Sequence, residues 1–332
     1  MSNIYTPNQV ELAAKLLQSG DVVGIPTETV YGLAADISNP VAVNKIFSIK
    51  NRPSNHPLII HIATLDQLDI YARNIPDYAY KLAQQFWPGP LTLVLEKSDL
   101  VGDWVTGGQS TVGIRMPNHP LALSLLKAVG KPLAAPSANL FGRISPTLAH
   151  HVIGEFNGAI PVLDGGACSV GIESTIIDAT HPATCSILRQ GSITLKQIRQ
   201  LLVNVNVQDS VNKTKRVSGS LKYHYAPSKP CIKFHNPLEL QRIIDIYGDS
   251  IDILAMNKIP SGRAQNFVQM PLDSASYAQK LYEQMRVADQ SLSQAIAIEA
   301  PPATMDWSAV NDRIDKATAK SNEAIAGPIL ID

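Results

Sequence analysis

Residues 45–62 of the chain, KIFSIKNRPSNHPLIIHI, place several cationic side chains beside two prolines and then continue into an aliphatic run. Lys50 and Arg52 are two residues apart, so an extended backbone directs both side chains to the same side. Pro53 and Pro57 restrict the backbone, which reduces the entropy that is lost when the segment becomes ordered. A compact ammonium and a planar guanidinium together suit a polyphosphate. The segment therefore predicts either an anion-binding site or a solvated turn, and its residues leave both possibilities open.

Two histidines belong to the same segment. His56 precedes the second proline, and His61 lies within the aliphatic run LIIHI. A histidine inside such a run is more often a core residue with satisfied hydrogen bonds than a ligand-binding residue. His61 by itself therefore predicts no site.

Two other stretches place small polar side chains directly after apolar runs. PTETVYGLAAD (26–36) follows a predicted buried strand, and the ends of strands carry sites in α/β folds. APSANLFGRISPT (135–147) is a loop whose backbone N–H groups could approach a phosphate closely. Both stretches are also consistent with ordinary turns whose side chains cap the backbone. The candidates are Thr29 in the first stretch and Ser137, Asn139 and Ser145 in the second.

Three more candidates lie at the ends of predicted strands. Arg115 ends the strand TVGIR, Arg189 ends CSILR, and Ser174 begins STIID. A single arginine at the end of a strand is usually a surface residue. Two of them would bind one anion together with Lys50 and Arg52 if their strands were neighbours, which the sequence does not decide.

Several familiar catalytic patterns are absent from the sequence. It contains no GxxxxGK[ST], GxGxxG, GxSxG, HExxH or CxxC motif. Its three cysteines, Cys168, Cys185 and Cys231, have no metal-ligand spacing and cannot all pair, which indicates a reducing cytoplasm. The remaining candidates are cations and hydroxyls, which suit electrostatic catalysis on phosphates better than covalent catalysis. No protein-held metal site is predicted.

The apolar spacing predicts strands and helices that mix without strict alternation, which is typical of an α/β fold with a mixed sheet. From residue 233 the order becomes helix, strand, helix, strand, helix, which suggests a smaller parallel α/β domain. We expect a first domain over 1–205, a polar linker over 206–232 and a second domain over 233–332. The predicted helices are about 7–19, 40–50, 64–72, 76–86, 119–129, 146–154, 194–203, 238–247, 274–290 and 307–321.

The formal net charge is zero, but the charge is unevenly distributed. Residues 1–205 hold 14 Lys and Arg against 14 Asp and Glu, whereas 206–232 hold five basic residues against one acid. The chain is therefore no general binder of polyanions, and any anion site must be local. No apolar run is long enough for a membrane helix, and no secretory signal pattern begins the chain, so we expect a cytoplasmic protein.

The motifs quoted above, together with GIESTIID, LRQG and the linker sequence SGSLKYHYAP, resemble in this order the YrdC-type threonylcarbamoyl-adenylate synthases in their long, two-domain form. The resemblance implies a twisted mixed-sheet catalytic domain and a smaller Rossmann-like C-terminal domain. It also implies a nucleotidyltransferase that makes L-threonylcarbamoyl-AMP and pyrophosphate from L-threonine, bicarbonate or CO2, and ATP, with Mg²⁺ held mainly by the ATP phosphates. A separate transferase would then carry the threonylcarbamoyl group to the adenosine next to the anticodon of certain tRNAs.

The resemblance assigns the candidate residues to two ligands. Lys50 and Arg52 would hold the phosphates and act as the catalytic residues, and Arg115 would take the carboxylate of threonine. The remaining ATP-binding residues would be His56, Thr111, Ser137, Asn139, Ser145, Arg189 and, as part of a linker lid, Tyr225. The remaining threonine-binding residues would be Thr29, His61 and Ser174. The linker here reads SGSLKYHYAP where many relatives have PGMKYRHYAP, so its nucleotide contacts do not transfer directly.

Other functions remain open. The chain could be a module that binds double-stranded RNA or tRNA without adenylate chemistry, although a charge-neutral first domain argues against it. It could be a carbamoyl-adenylate enzyme of the kind found in hydrogenase maturation proteins, which carry zinc-binding and acyl-phosphatase segments that are absent here. It could also be a nucleotide sensor that catalyses no reaction.

Overall fold

The computed structural model describes residues 3–209, 215–219, 221–257 and 266–329, without the side chains of 324–329. The chain divides into two compact units. The first consists of Met1–Phe141 and Ser145–Ser220, and the second of Gly142–Ile144 and Leu221–Asp332. Part of the predicted linker, residues 210–214 and 220, lies outside the described residues.

The first unit is built on a mixed sheet that has twelve strands in the described residues. Their order is β1-β9-β2-β3-β8-β4-β7-β6-β10-β11-β12, and β5 pairs with β6. The strands are β1 (Ile4–Tyr5), β2 (Val23–Ile25), β3 (Gly32–Asp36), β4 (Ile59–His61), β5 (Ala72–Arg73), β6 (Leu91–Lys97), β7 (Thr111–Arg115), β8 (Leu133–Ala134), β9 (Val162–Leu163), β10 (Thr175–His181), β11 (Thr184–Arg189) and β12 (Asn206–Gln208).

Helices pack around this sheet and exclude water from its aliphatic side chains. They are α1 (Val10–Gln18), α2 (Pro40–Lys50), α3 (Gln67–Tyr71), α4 (Asp77–Phe86), α5 (Asp103–Thr106), α6 (Pro120–Val129), α7 (Ala149–Glu155) and α8 (Leu195–Leu201), with a short 3₁₀ turn at Pro7–Gln9. The main predicted helices are confirmed, with ends that shift by a few residues. The sequence interpretation missed the strands β1, β3, β5 and β12 and the short helix α5.

Helix α2 brings the cationic segment into the structure. Asn39 caps its first turn by accepting from the N–H groups of Val41 and Ala42, and Pro40 occupies the first helical position. Asn51 ends the helix in the left-handed conformation, with φ 50°, and turns the chain sharply. Lys50 is thus the last helical residue, and the turn at Asn51 separates it from Arg52.

The second unit contains a parallel sheet of four strands in the described residues, in the order β13-β16-β14-β15. The strands are β13 (Cys231–Phe234), β14 (Ile251–Ala255), β15 (Asn266–Gln269) and β16 (Ala295–Glu299). The helices are α9 (Pro237–Tyr247), α10 (Ser274–Gln290) and α11 (Ser308–Ile329), with a 3₁₀ turn at Met305–Trp307. The expected fold class, a mixed α/β domain and a smaller parallel α/β domain, is confirmed.

The central strand β6 offers a test of how the first unit is held together. Leu93 of β6 is completely buried in the main core, whereas the side chain of Leu100 is 64% exposed. We expect Leu93→Ala to lower the free energy of unfolding of this unit by about 2–5 kcal/mol, because it removes apolar contacts and leaves a cavity. Leu100→Ala, measured in the same denaturant titration, should change it by less than about 0.5 kcal/mol. Equal effects of the two substitutions would contradict this description of the core.

Candidate functional site

Several predicted site residues lie at one edge of the first sheet. His61 and Arg115 are paired across the parallel strands β4 and β7. Strand β6 is antiparallel to β7 and begins at this same edge, where Leu91 pairs with Thr175 at the start of β10. Arg189 ends β11 opposite Ile176. The strand order therefore places Arg115, Arg189 and the residue before β10, Ser174, along one edge, which the sequence could not decide.

Lys50 reaches from α2 into the loop 135–147. Its side chain is buried, and Nζ donates to the carbonyl oxygen of Ser137 at 2.6 Å and to that of Asn139. The carbonyl oxygen of Lys50 in turn accepts from the N–H of Phe141 at 2.8 Å. Burial, and then the charge of Arg52, lower the pKa of Lys50 well below its ordinary value. The two carbonyl oxygens hold this ammonium in place.

Arg52 and His56 both contact one aromatic ring, that of Phe141. The Arg52 guanidinium lies 5.4 Å from the ring centroid of Phe141, and the ring of His56 meets that of Phe141 edge to face at 5.3 Å. Burial, and then the charges of Arg52 and Arg216, lower the pKa of His56. His56 therefore lies beside the cationic cluster and favours its neutral form there.

A single residue of the predicted linker joins two of the arginines. The hydroxyl of Ser218 accepts from Arg52 Nη2 at 3.3 Å, and its carbonyl oxygen accepts from Arg189 Nη1 at 3.1 Å. Arg189 also donates from Nη2 to the hydroxyl of Ser174 at 3.1 Å, and this hydroxyl lies 2.8 Å from that of Thr92. Arg52 and Arg189 therefore converge on one polar group, although 137 residues separate them in the sequence.

Arg115 is the centre of a second cluster. Its Nη1 donates to the Thr29 hydroxyl at 2.8 Å, its Nε donates to the Gly89 carbonyl oxygen at 3.3 Å, and its Nη2 lies 2.7 Å from a carboxylate oxygen of Glu28. The side chains of Arg115 and Glu28 are both buried. Burial, and then the charge of Arg115, lower the pKa of His61 to about 3, so His61 is neutral near pH 7.

The segment 215–219 lies against the sheet face that carries Thr111. Val217 is buried with Val94, Ile176 and Leu188. A partly open cavity of about 20 Å³ lies between this segment and the sheet, which is room for about one water molecule. Thr111, Gly113 and Thr92 line the cavity from the sheet, and Arg216, Val217 and Ser218 line it from the segment. In this conformation the face is covered.

The loop 135–147 contributes carbonyl oxygens where backbone N–H donors had been expected. The N–H groups of residues 138–141 bond within the protein, to Tyr31 O, Ser137 O, the Glu155 carboxylate and Lys50 O. What this loop presents to Lys50 is the carbonyl oxygens of Ser137 and Asn139. Ser145, further along, donates from its buried hydroxyl to Glu173 at 2.6 Å.

Tyr225 belongs to the second unit. It adopts φ 59°, and its ring stacks on that of Tyr282 with centroids 5.8 Å apart and lies 5.2 Å from the guanidinium of Arg313. These contacts bury the ring. The assignment of Tyr225 to ATP stays a prediction.

Sequence reasoning missed several residues that complete these clusters. Glu28 lies next to Thr29 in the motif PTETVYGLAAD, whose hydroxyls were the expected ligand-binding groups. Thr92, Ser218 and Phe141 carried no signal, because their contacts depend on strand order and on the path of the linker. Within the described residues, no group of three or more His, Cys, Asp and Glu side chains could hold a metal ion.

Two protein-family models match the chain. A family model for Sua5, YciO and YrdC, described as telomere recombination, matches residues 15–191, and a model described as the threonylcarbamoyl-AMP synthase C-terminal domain matches residues 193–319. The chain therefore belongs to the Sua5/YciO/YrdC family, and it has the two-domain form of the threonylcarbamoyl-AMP synthases within it. The expected resemblance is confirmed.

Individual relatives agree with the family. The chain is 39% identical to threonylcarbamoyl-AMP synthase of Bacillus subtilis over 93% of its own length and 92% of the relative. It is 44% identical to that of Pyrococcus abyssi over 70% of each chain. It also matches the crystal structure of P. abyssi Sua5 complexed with L-threonine, with a TM-score of 0.87 and 34% identity over 96% of this chain and 98% of the other. These relatives confirm the expectation of a nucleotidyltransferase-type enzyme.

Among the helices that the structure describes, none combines the length and apolarity needed to cross a bilayer.

The burial of His61 predicts a pH dependence of stability. A folded-state pKa of about 3 lies below the ordinary value of 6.5, so only the unfolded chain takes up a proton as the pH falls through 6.5. This group therefore costs about 1 kcal/mol of folding free energy between about pH 7 and about pH 5.5. We expect denaturant titrations of His61→Gln to show a weaker loss of stability over this range than those of the wild type. The exposed His150, changed to Gln, is the control, and an identical pH dependence in wild type and His61→Gln would contradict the prediction.

Proposed function

We propose that the chain makes L-threonylcarbamoyl-AMP and pyrophosphate from L-threonine, bicarbonate or CO2, and ATP. The observation that carries this proposal is the convergence of Arg52 and Arg189 on Ser218, next to the sheet edge that holds Arg115. The two guanidinium groups bond to the hydroxyl and the carbonyl oxygen of the same residue, so both could bond to one anion with several oxygens. The threonine-bound relative supports threonine as one ligand. The name threonylcarbamoyl-AMP synthase of the relatives supports an adenylate as the product.

The phosphates of ATP would lie against Lys50, Arg52 and Arg189. Lys50 has three N–H donors, and the carbonyl oxygens of Ser137 and Asn139 take two of them, which leaves one for a phosphate oxygen. The negative charge of the phosphates would favour the protonated form of Lys50, against the burial that now lowers its pKa. His56, Thr111, Ser137, Asn139 and Ser145 would complete the nucleotide site.

Threonine would lie at the Arg115 cluster. Arg115 would bind the carboxylate, and Thr29, Ser174 and His61 lie on the same side of the sheet edge. His61 is neutral there, so it can accept or donate one hydrogen bond without adding a charge. The contact between Arg189 of the phosphate site and Ser174 of the threonine site would thereby hold the two substrates next to each other.

The reaction would need little acid–base chemistry at phosphorus. The threonine ammonium and bicarbonate give a carbamate, water and one proton. An oxygen of the carbamate then bonds to the α-phosphorus of ATP, while the bond from this phosphorus to the bridging oxygen breaks and pyrophosphate leaves with the electron pair. Both reactants are anions, so the protein contributes chiefly by holding them together and by stabilising charge on the leaving group.

Mg²⁺ would enter with the triphosphate. The described residues supply no cluster of carboxylates or histidines for it, and this donor set fits an ion held mainly by phosphate oxygens. Such an ion would neutralise part of the phosphate charge. The product would be consumed by a separate transferase that acts on tRNA, and direct contact of this chain with tRNA is part of the same proposal.

The first test is the removal of one positive charge. We expect Lys50→Met or Arg52→Met to reduce threonine-dependent pyrophosphate release by about 100-fold or more, because each variant loses a charge-assisted contact to a leaving phosphate. The exposed Lys81, changed to Met, should leave the rate unchanged and serves as the matched control. Mass spectrometry should detect threonylcarbamoyl-AMP only when threonine is present. Near-normal release by folded Lys50→Met and Arg52→Met proteins would rule out the assignment.

The second test concerns the segment 215–219. A cavity of about 20 Å³ cannot hold a nucleotide, and Ser218 now occupies donors of Arg52 and Arg189. We expect Mg-ATP to displace Ser218 from these arginines and so to change amide hydrogen exchange in 215–219, measured by mass spectrometry. Threonine alone should leave exchange in this segment unchanged. An ATP-saturated protein with unaltered exchange there would show that the nucleotide binds elsewhere.

A further inference from the structure

The carboxylate of Glu28 is buried without the hydrogen bonds that such a group normally accepts. The residue is 4% exposed, and neither carboxylate oxygen accepts a hydrogen bond from the residues that the structure describes. Arg115 Nη2 lies 2.7 Å from Oε2 and forms an ion pair with it, but its N–H groups are not directed at this oxygen. A buried carboxylate has about four acceptor positions, and leaving them unfilled is costly. This deficit calls for a donor that the described residues do not supply.

The neighbours of Glu28 narrow the choice of that donor. The Thr29 hydroxyl accepts from Arg115 and lies 2.9 Å from the hydroxyl of Thr27, which itself donates to the Val30 carbonyl oxygen. His61 carries no charge, because its pKa is about 3. Burial also lowers the pKa of His119, another imidazole near Glu28. Arg115 is thus the positive group against Glu28, and it is also the group expected to bind the substrate carboxylate. Within the described residues, the cluster pairs one guanidinium with one carboxylate.

This pairing is complementary to the zwitterion of an α-amino acid, which carries a carboxylate and an ammonium on the same carbon atom. Thr29 and Gly89 occupy only two of the five N–H donors of Arg115, so donors remain for a substrate carboxylate as well as for Glu28. An ammonium brings three donors to the unfilled oxygens of Glu28. Once the substrate is bound, Arg115 would face two carboxylates. The ammonium would then supply the second positive charge.

We propose that Glu28 binds the α-ammonium group of the amino-acid substrate and selects ligands that carry a free amine. The inference rests on the proposed function only in taking Arg115 as the contact for the substrate carboxylate. It adds a ligand-binding residue to the threonine site, where Thr29, His61, Arg115 and Ser174 were already expected. Glu28 would hold the amine in place before its nitrogen bonds to carbon.

The test compares two ligands that differ by the ammonium alone. L-Threonine carries it, and 3-hydroxybutanoate of the matching configuration keeps the carboxylate and the hydroxyl but lacks it. Calorimetry on the full chain should show that Glu28→Gln binds threonine about 10- to 100-fold more weakly than the wild type, because a charge-assisted contact is lost. The same substitution should leave the affinity for 3-hydroxybutanoate unchanged or improve it, since one negative charge near that carboxylate is gone.

The controls separate a binding role from a structural one. Glu11→Gln, an exposed substitution in the same unit, should bind both ligands as the wild type does. Equal weakening of both ligands by Glu28→Gln would mean that Glu28 only orients Arg115, and no weakening would mean that it has no role. Either result overturns the proposal.

Two further measurements concern the wild type: its preference between the two ligands and its release of pyrophosphate. The wild type must itself prefer threonine to 3-hydroxybutanoate, and a lack of preference overturns the inference even if Glu28→Gln fails to fold. Normal threonine-dependent pyrophosphate release by the wild type, together with unaltered threonine binding by Glu28→Gln, would overturn this inference alone. A wild type that neither binds threonine nor releases pyrophosphate would overturn both proposals.

Discussion

The burial of positive side chains around the first sheet is the constraint on which the rest of the first unit depends. Lys50, Arg52, Arg115 and Arg189 are each almost completely buried, and a buried cation without acceptors is strongly unfavourable. The fold supplies these acceptors from different parts of the chain. They are the carbonyl oxygens of Ser137 and Asn139 and the polar atoms of Thr29, Ser174 and Ser218. The Glu28 carboxylate adds a negative charge 2.7 Å from Arg115.

These acceptors differ in how readily a ligand could replace or join them. The carbonyl oxygens that hold Lys50 belong to a loop whose N–H groups are bonded within the protein, so they are fixed. Ser218 belongs to a short segment that is held on the sheet by Val217 and by the arginines themselves. Such a segment exposes far less apolar area on release than a strand or a helix would. The arrangement thus combines a rigid support for Lys50 with a replaceable partner for Arg52 and Arg189.

Features that depend on residues close together in the sequence could be predicted, whereas features that depend on distant residues could not. Helix α2 was predictable because its signals are local: an Asn-Pro start, apolar spacing, and a turn after Lys50. Strand β3 was missed because GLAAD is buried throughout and shows no alternation. Strands β12 and β15 were missed because each is short and mostly polar.

The same distinction applies to the site. The types of its cations and hydroxyls were visible, because Lys50, Arg52, Arg115 and Arg189 lie in recognisable motifs. Their convergence was not visible, because it depends on the order of the strands in the sheet, which is β4-β7-β6-β10-β11 in this region. Glu28 was visible in the motif PTET, but its contact with Arg115 was not, because it depends on how this segment meets the end of β7.

The contact between Arg52 and Ser218 spans 166 positions of the chain. During synthesis on the ribosome, which proceeds from the N-terminus, Arg52 emerges long before its partner exists. The donors of Arg52 that Ser218 later takes must therefore remain hydrated, or meet other acceptors, until more than half of the polypeptide has been made. Completion of this edge is then a late event in the biogenesis of the protein, and truncated chains that stop before Ser218 would carry a positively charged, uncovered surface.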